Sequence, residues 1–198
     1  SAGSGALKLF ARSIASSFLI LVGISLVLAH GRQIRWRAFW KRWRWIAAAA
    51  LLITIATYFA TPGAFIYFGI LHHIAVASLI GLVFLRLPWP VIALSIAALW
   101  FIGQTVALPA FDTRWLAWTG LYDIPPRSND FVPLLPWFAA VLAGIIIGKI
   151  VVKKRDTLGD IDASKPLKPL IFIGRHSLIY YLVHQPVLIA LVYGMSLV

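Results

Sequence analysis

Six apolar runs, at residues 10–29, 46–61, 65–85, 91–108, 133–152 and 170–194, leave this chain little choice of fold. A helix needs about 20 mostly apolar residues to cross the ~30 Å hydrocarbon core of a bilayer. No water reaches the backbone there, so each run has to satisfy its own amides as a helix. The sequence therefore predicts an all-α integral membrane protein, a single domain over residues 1–198 built as a bundle of six transmembrane helices. Composition points the same way: 61% of the residues are hydrophobic and 12% charged, against about 25% charged in soluble domains. The last run is the most polar but is long enough to cross.

The chain has no cysteine, which excludes a disulfide framework, a thiol nucleophile and a Cys-ligated metal. Run 10–29 lacks the basic start and cleavage site of a signal peptide and reads as a span. The cations set the orientation. The segment HGRQIRWRAFWKRWRW carries Arg32, Arg35, Arg37, Lys41, Arg42 and Arg44, and KIVVKKRDTLGDIDASKPLKP carries Lys149, Lys153, Lys154, Arg155, Lys165 and Lys168. These loops and Arg86 fall on one side, which the positive-inside rule makes cytoplasmic. Both ends of the chain then lie outside, so a seventh helix is expected upstream.

A net charge of +12 would suit nucleic acid if it were spread over a soluble face. Here it sits beside spans and is mixed with Trp36, Trp40, Trp43 and Trp45. That pattern excludes nucleic acid as the partner and leaves two compatible readings. One is anchoring to lipid headgroups, the other binding of a phosphate-rich cytosolic ligand.

Polar side chains within spans face a bundle interior or a wet cavity, because they are costly in lipid. In GILHHIAVASLIG, His72 and His73 are adjacent and point ~100° apart on a helix. Gly69, His73, Ala77 and Gly81 form a small-residue face, which makes His73 the packing residue and His72 the freer one. Gly144 and Gly148 form a similar packing pair. With the third run starting at Phe65, His72 lies about 10 Å deep at ~1.5 Å per residue, a depth shared by His184 in the sixth. In GRHSLIYYLVHQPVLI, Ser177, Tyr180, Tyr181 and His184 share one helical face, and Pro186 frees a backbone carbonyl near His184. Thr54, Thr57, Tyr58 and Thr61 make a weaker stripe. Bis-histidine haem would want a second histidine pair, and a metal would want carboxylates at that depth, so neither is expected.

The runs FLILVGISLVLAHGR, FIYFGILHHIAVASLIG, NDFVPLLPWFAAVLAGIIIG and PLIFIGRHSLIYYLVHQPVL, in that order, resemble the bacterial members of the heparan-α-glucosaminide N-acetyltransferase-like family over nearly the whole chain. The resemblance implies a multi-pass protein of the bacterial inner membrane. It would move an acetyl or other acyl group from cytosolic acyl-CoA to a sugar amine or hydroxyl on the other side. It also implies roles for His72, Asn129, Asp130, Arg175 and His184. The family pattern opens with a further span bearing an Asp-x-x-Arg-Gly motif and a histidine, which nothing in this chain matches.

Acyl transfer needs a base for the nucleophile and donors for the oxyanion. His72 and His184 suit the first role, and Tyr180, Tyr181 and Asn129 the second. Arg32, Arg35 and Arg175 would hold the coenzyme phosphates. Asp123, Arg127 and Asp130, in LYDIPPRSND, stand where an extracytoplasmic polar acceptor would enter. A non-catalytic membrane subunit or ligand-binding module and a small-solute transporter stand as alternatives, as does assembly into a homodimer or larger complex.

Overall fold

The computed structural model describes the backbone of residues 2–158 and the side chains of residues 12–154. The chain divides into two compact units, residues 1–154 and 155–198, and the described side chains all belong to the first. Among the described residues the regular structure is helical, without strands: α1 (Ala2–His30), α2 (Trp36–Ala60), α3 (Ile70–Phe84), α4 (Trp89–Thr105), the single turn α5 (Arg114–Ala117) and α6 (Leu134–Leu158). The run at 170–194 lies outside the described residues.

Arg12–His30, Trp36–Ala60 and Leu134–Lys154 are long and apolar enough to cross a membrane. The equally apolar α3 and α4 have 15 and 17 residues, about 23 and 26 Å at ~1.5 Å per residue. Large apolar side chains are exposed along the bundle, Leu51, Leu52, Ile55 and Phe59 on α2 and Leu94, Trp100 and Phe101 on α4 among them. Water would make such a surface costly. Lipid makes it the expected one, and the chain is an all-α membrane protein.

Two helix starts differ from the runs of apolar sequence. α2 begins at Trp36, well before the apolar run at 46, because no Gly or Pro interrupts residues 36–60 and Arg, Lys, Ala and Trp all tolerate a helix. α3 begins at Ile70 instead of Phe65. Pro62 and Gly63 break the chain into a 3₁₀ turn at Pro62–Ala64, and the following residues stay irregular up to Gly69, which starts the helix. In α6, Leu135 leaves helical geometry (φ −94°, ψ 134°), since the ring of Pro136 disfavours the α region for the residue before it.

The interior is the contact of α1, α3 and α6, where Leu19, Ala77, Leu142 and Ile145 are fully buried. Glycine allows α1 and α6 to touch backbone to backbone. A Cβ on Gly23 would meet the Val141 carbonyl oxygen, one on Gly144 the Ile20 carbonyl oxygen, and one on Gly148 the side chain of Val27. Close approach of this kind supplies the dispersion contacts that hold helices together in lipid. Gly69, His73, Ala77 and Gly81 are likewise all buried, with Gly81 against Leu26 and Ile145.

Tethers between elements define two ends. At the basic end, Lys149 Nζ donates to the Leu87 carbonyl at 2.5 Å. Higher up, Trp43 Nε1 on α2 donates to Ala75 on α3 at 2.9 Å. At the opposite end, segment 61–69 meets segment 106–133 through Asn129 N–H to Ala64 (2.9 Å) and Val132 N–H to Phe68 (3.2 Å).

Candidate functional site

The first amides of a helix have no partner within it, and two side chains close the start of α3. Asp130 Oδ2 accepts from the N–H of Ile70 at 2.9 Å. One residue earlier, His72 Nδ1 accepts from the N–H of Gly69 at 3.3 Å. His72 and Asp130, 58 positions apart in the sequence, thus sit on consecutive amides. A ring nitrogen that accepts is unprotonated, so the proton of neutral His72 belongs on Nε2. Nε2 lies 3.0 Å from Thr54 Oγ1, and the Thr54 hydroxyl donates onward to the Ile66 carbonyl at 2.7 Å. The chain Gly69 N–H to His72 to Thr54 to Ile66 is consistent at every link.

Because α3 starts at Ile70, His72 stands in its first turn, at the rim of the helix and not some 10 Å along it. The Thr stripe of α2 stitches this end together. Thr57 Oγ1 accepts from the Ile66 N–H at 3.0 Å, and Thr61 Oγ1 from Asn129 Nδ2 at 2.8 Å. Ser128 Oγ donates to the Phe65 carbonyl at 3.1 Å. Aromatic rings wall the histidine: Phe68 lies 5.9 Å from His72 and 5.6 Å from Trp118, centroid to centroid. Arg114 stands over the Phe65 ring at 5.0 Å. Burial pushes the Asp130 carboxyl above its ordinary value, and the bond from Ile70 draws it part of the way back.

Asp123 and Arg127 lie elsewhere in the same segment. The backbone N–H groups of Asp123 and Ile124 are held by Asp112 Oδ1, at 2.7 and 3.0 Å. The side chains of Asp123 and Arg127 are exposed. His73, adjacent to His72, is fully buried. Its Nδ1 lies 3.2 Å from both the Val132 and the Pro133 carbonyl oxygens, so Nδ1 carries the proton. Its Nε2 has no hydrogen-bond partner among the described residues.

Arg32 and Arg35 are at the other end, in the turn between α1 and α2. Arg35 Nε donates to the Ala29 carbonyl at 3.3 Å and its backbone N–H to His30 Nδ1 at 3.2 Å. A crevice between α1, α2 and α3 opens beside them, lined by Ser25, His30, Arg42, Trp43 and Ser78 among others. The sequence reading named neither His30 nor Ser78, and no periodic signal marks them. Arg175, Tyr180, Tyr181 and His184 lie outside the described residues. Among the described residues no three His or Asp side chains converge as metal ligands would.

Comparison with known families matches residues 1–186 to the family described as heparan-alpha-glucosaminide N-acetyltransferase, catalytic. No curated protein and no solved structure matches the chain.

Proposed function

The chain belongs to the heparan-alpha-glucosaminide N-acetyltransferase catalytic family, and from that membership we propose a membrane-embedded acyltransferase. It takes an acetyl or acyl group from acyl-CoA at its basic end and delivers it to a sugar amine or hydroxyl at the opposite end. The basic end faces the cytoplasm of a bacterium and the other end faces away from it. The observation that carries this reading is the contrast between the ends. Cations gather at residues 32–44, 86 and 149–154, whereas the described carboxylates Asp112, Asp123 and Asp130 lie in the segment that meets the start of α3, with Asp130 on the amide next to the one His72 accepts from.

In this reading the acceptor heteroatom attacks the thioester carbonyl, the new C–N or C–O bond forms, and the C–S bond breaks to release the coenzyme thiolate. His72 receives the acceptor's proton at Nδ1, whose bond to Gly69 is long at 3.3 Å. Thr54 holds the ring from the far side through Nε2–H, the orienting role that general-base catalysis asks of a third group. His184 is the second catalytic histidine. Tyr180, Tyr181 and Asn129 steady the oxyanion. Arg32, Arg35 and Arg175 bind the coenzyme phosphates by charge-assisted bonds, with Arg42 and His30 lining the crevice beside them. Asp123, Arg127 and Asp130 receive the acceptor.

Membranes carrying the protein, incubated with labelled acetyl-CoA and an amino sugar, test it. Transfer of label to the sugar is expected. Label that binds and is not transferred indicates a binding module, and failure to bind removes the acyltransferase reading altogether.

A further inference from the structure

The outer face of α2 changes character along its length. On a helix, Arg37, Lys41 and Arg44 stand at i, i+4 and i+7 and so form one row. All three are exposed. Exposed tryptophans flank the row, Trp36 (55% exposed) and Trp40 on one side and Trp45 (67% exposed) on the other. Further along the same side of the helix the exposed residues become Leu51, Leu52, Ile55 and Phe59. The core side of α2 is separate, with Phe39, Ile46 and Ala50 buried and Trp43 bonded to α3.

Three cations in one row repel one another and need counterions. Among the described side chains the carboxylates are Asp112, Asp123 and Asp130, all at the opposite end of the bundle. The described side chains thus offer the row no anion. A second copy suits poorly, since each carries a net charge of +12 and would set like charge against like. A soluble phosphate compound suits poorly too, because the row runs on into an apolar stripe of exposed Leu51, Leu52, Ile55 and Phe59 that water would leave unfavourably solvated. That stripe places the row where hydrocarbon gives way to headgroups. Tryptophan rings prefer this level, and Lys and Arg meet lipid phosphates there.

We propose that Arg37, Lys41 and Arg44, with Trp36, Trp40 and Trp45, form a docking surface for the phosphate groups of anionic phospholipids. The three cations contact the phosphates, the indole N–H groups reach the ester region, and Leu51 to Phe59 lie along the acyl chains. The surface adjoins Arg35, which lines one open concavity together with Trp36, Arg37 and Lys41.

Native mass spectrometry of the full chain in detergent, with phosphatidylglycerol or phosphatidylcholine added, tests the surface, paired with thermal melts in each lipid. The protein should retain phosphatidylglycerol in preference to phosphatidylcholine and melt higher with it, and the preference should shrink as salt is raised. The R37Q/K41Q/R44Q variant should bind phosphatidylglycerol on the order of 100-fold more weakly, at about fivefold per cation. Its melting in phosphatidylcholine should match the unsubstituted protein. If the triple variant fails to fold, the three single variants carry the test, each about fivefold weaker. Three results overturn the proposal: no preference for the anionic lipid, a preference that survives the triple substitution, or equal stabilisation by soluble glycerol phosphate. A dimer that the substitutions dissociate, with no change in lipid preference, would assign the face to a second copy instead.

Discussion

His72 Nε2 and Thr54 Oγ1 lie 3.0 Å apart, tying the first turn of α3 to the middle of α2. The same imidazole caps the start of its own helix through Gly69, so removing it risks confusing a chemical role with a structural one. Glutamine separates them. Its amide oxygen accepts a backbone N–H as capping-box glutamines do, but it cannot take a proton. His72→Gln should keep the melting temperature within a few degrees while transfer falls by roughly 10²–10⁴-fold. Full activity in this variant would leave His72 as a cap alone.

The neighbouring histidine should respond in the opposite sense. His73 is 0% exposed and its Nδ1 meets the carbonyls of Val132 and Pro133. His73→Trp has no room for the added ring and should cost about 1–3 kcal/mol of stability, read as a lower melting temperature in detergent. A melting temperature equal to that of the unsubstituted protein would mean the site has slack.

At the α1–α6 crossing the limiting contact is with backbone, which cannot turn aside as a side chain can. Gly144→Val would press its Cβ into the Ile20 carbonyl and drive the helices apart, so loss of the folded protein's peak on size exclusion is expected. Gly63→Ala, where an added Cβ meets nothing within 4 Å, should leave the elution unchanged.

Asp130 makes stability depend on pH. Burial holds its folded-state carboxyl above the ordinary value of 3.8, so the folded protein keeps this proton more tightly than the unfolded chain does. The resulting stabilisation is complete below about 3.8 and is lost as pH rises through the folded pKa. Asp130→Asn can still accept from the Ile70 N–H and carries no charge. Its melting temperature, relative to the parent, should therefore rise as the pH goes from 4 to 7. A relative fall over that range would mean that the Ile70 bond outweighs burial.

The proposed orientation predicts which loops a membrane-impermeant thiol reagent reaches in intact cells. A cysteine placed at Gln33, in the exposed turn between α1 and α2, should be protected. One placed at Gly63 should be labelled. The reverse pattern would turn the protein over in the membrane and move the donor site with it.

Much of this was legible in the residues. Long apolar runs become helices in lipid because the backbone has no other partner, and that constraint is local to each run. The same locality made Gly144 and Gly148 readable as a close-packing pair and His73 as a packed residue, since i, i+4 spacing alone places small residues on one face. The start of α2 was less legible. A dense run of Arg, Lys and Trp reads as a loop when only hydropathy is followed, although nothing in it breaks a helix.

His72 shows where such reasoning ends. Its position in the sequence places it near a helix start once Pro62 and Gly63 are recognised as breakers. That Gly69, Thr54 and Ile66 engage its ring depends on α2 and α3 lying side by side, a contact between residues 18 apart in sequence. Asp130 depends on an association across 60 residues, which no local spacing encodes. Sequence by itself determined the membrane-helical class, the family and the charge difference between the ends, because hydrophobic length, motif and charge are properties of contiguous residues. Only the tertiary structure decided which polar side chains meet. Hydrogen bonds act over about 3 Å, and which groups come that close is set by how whole helices pack.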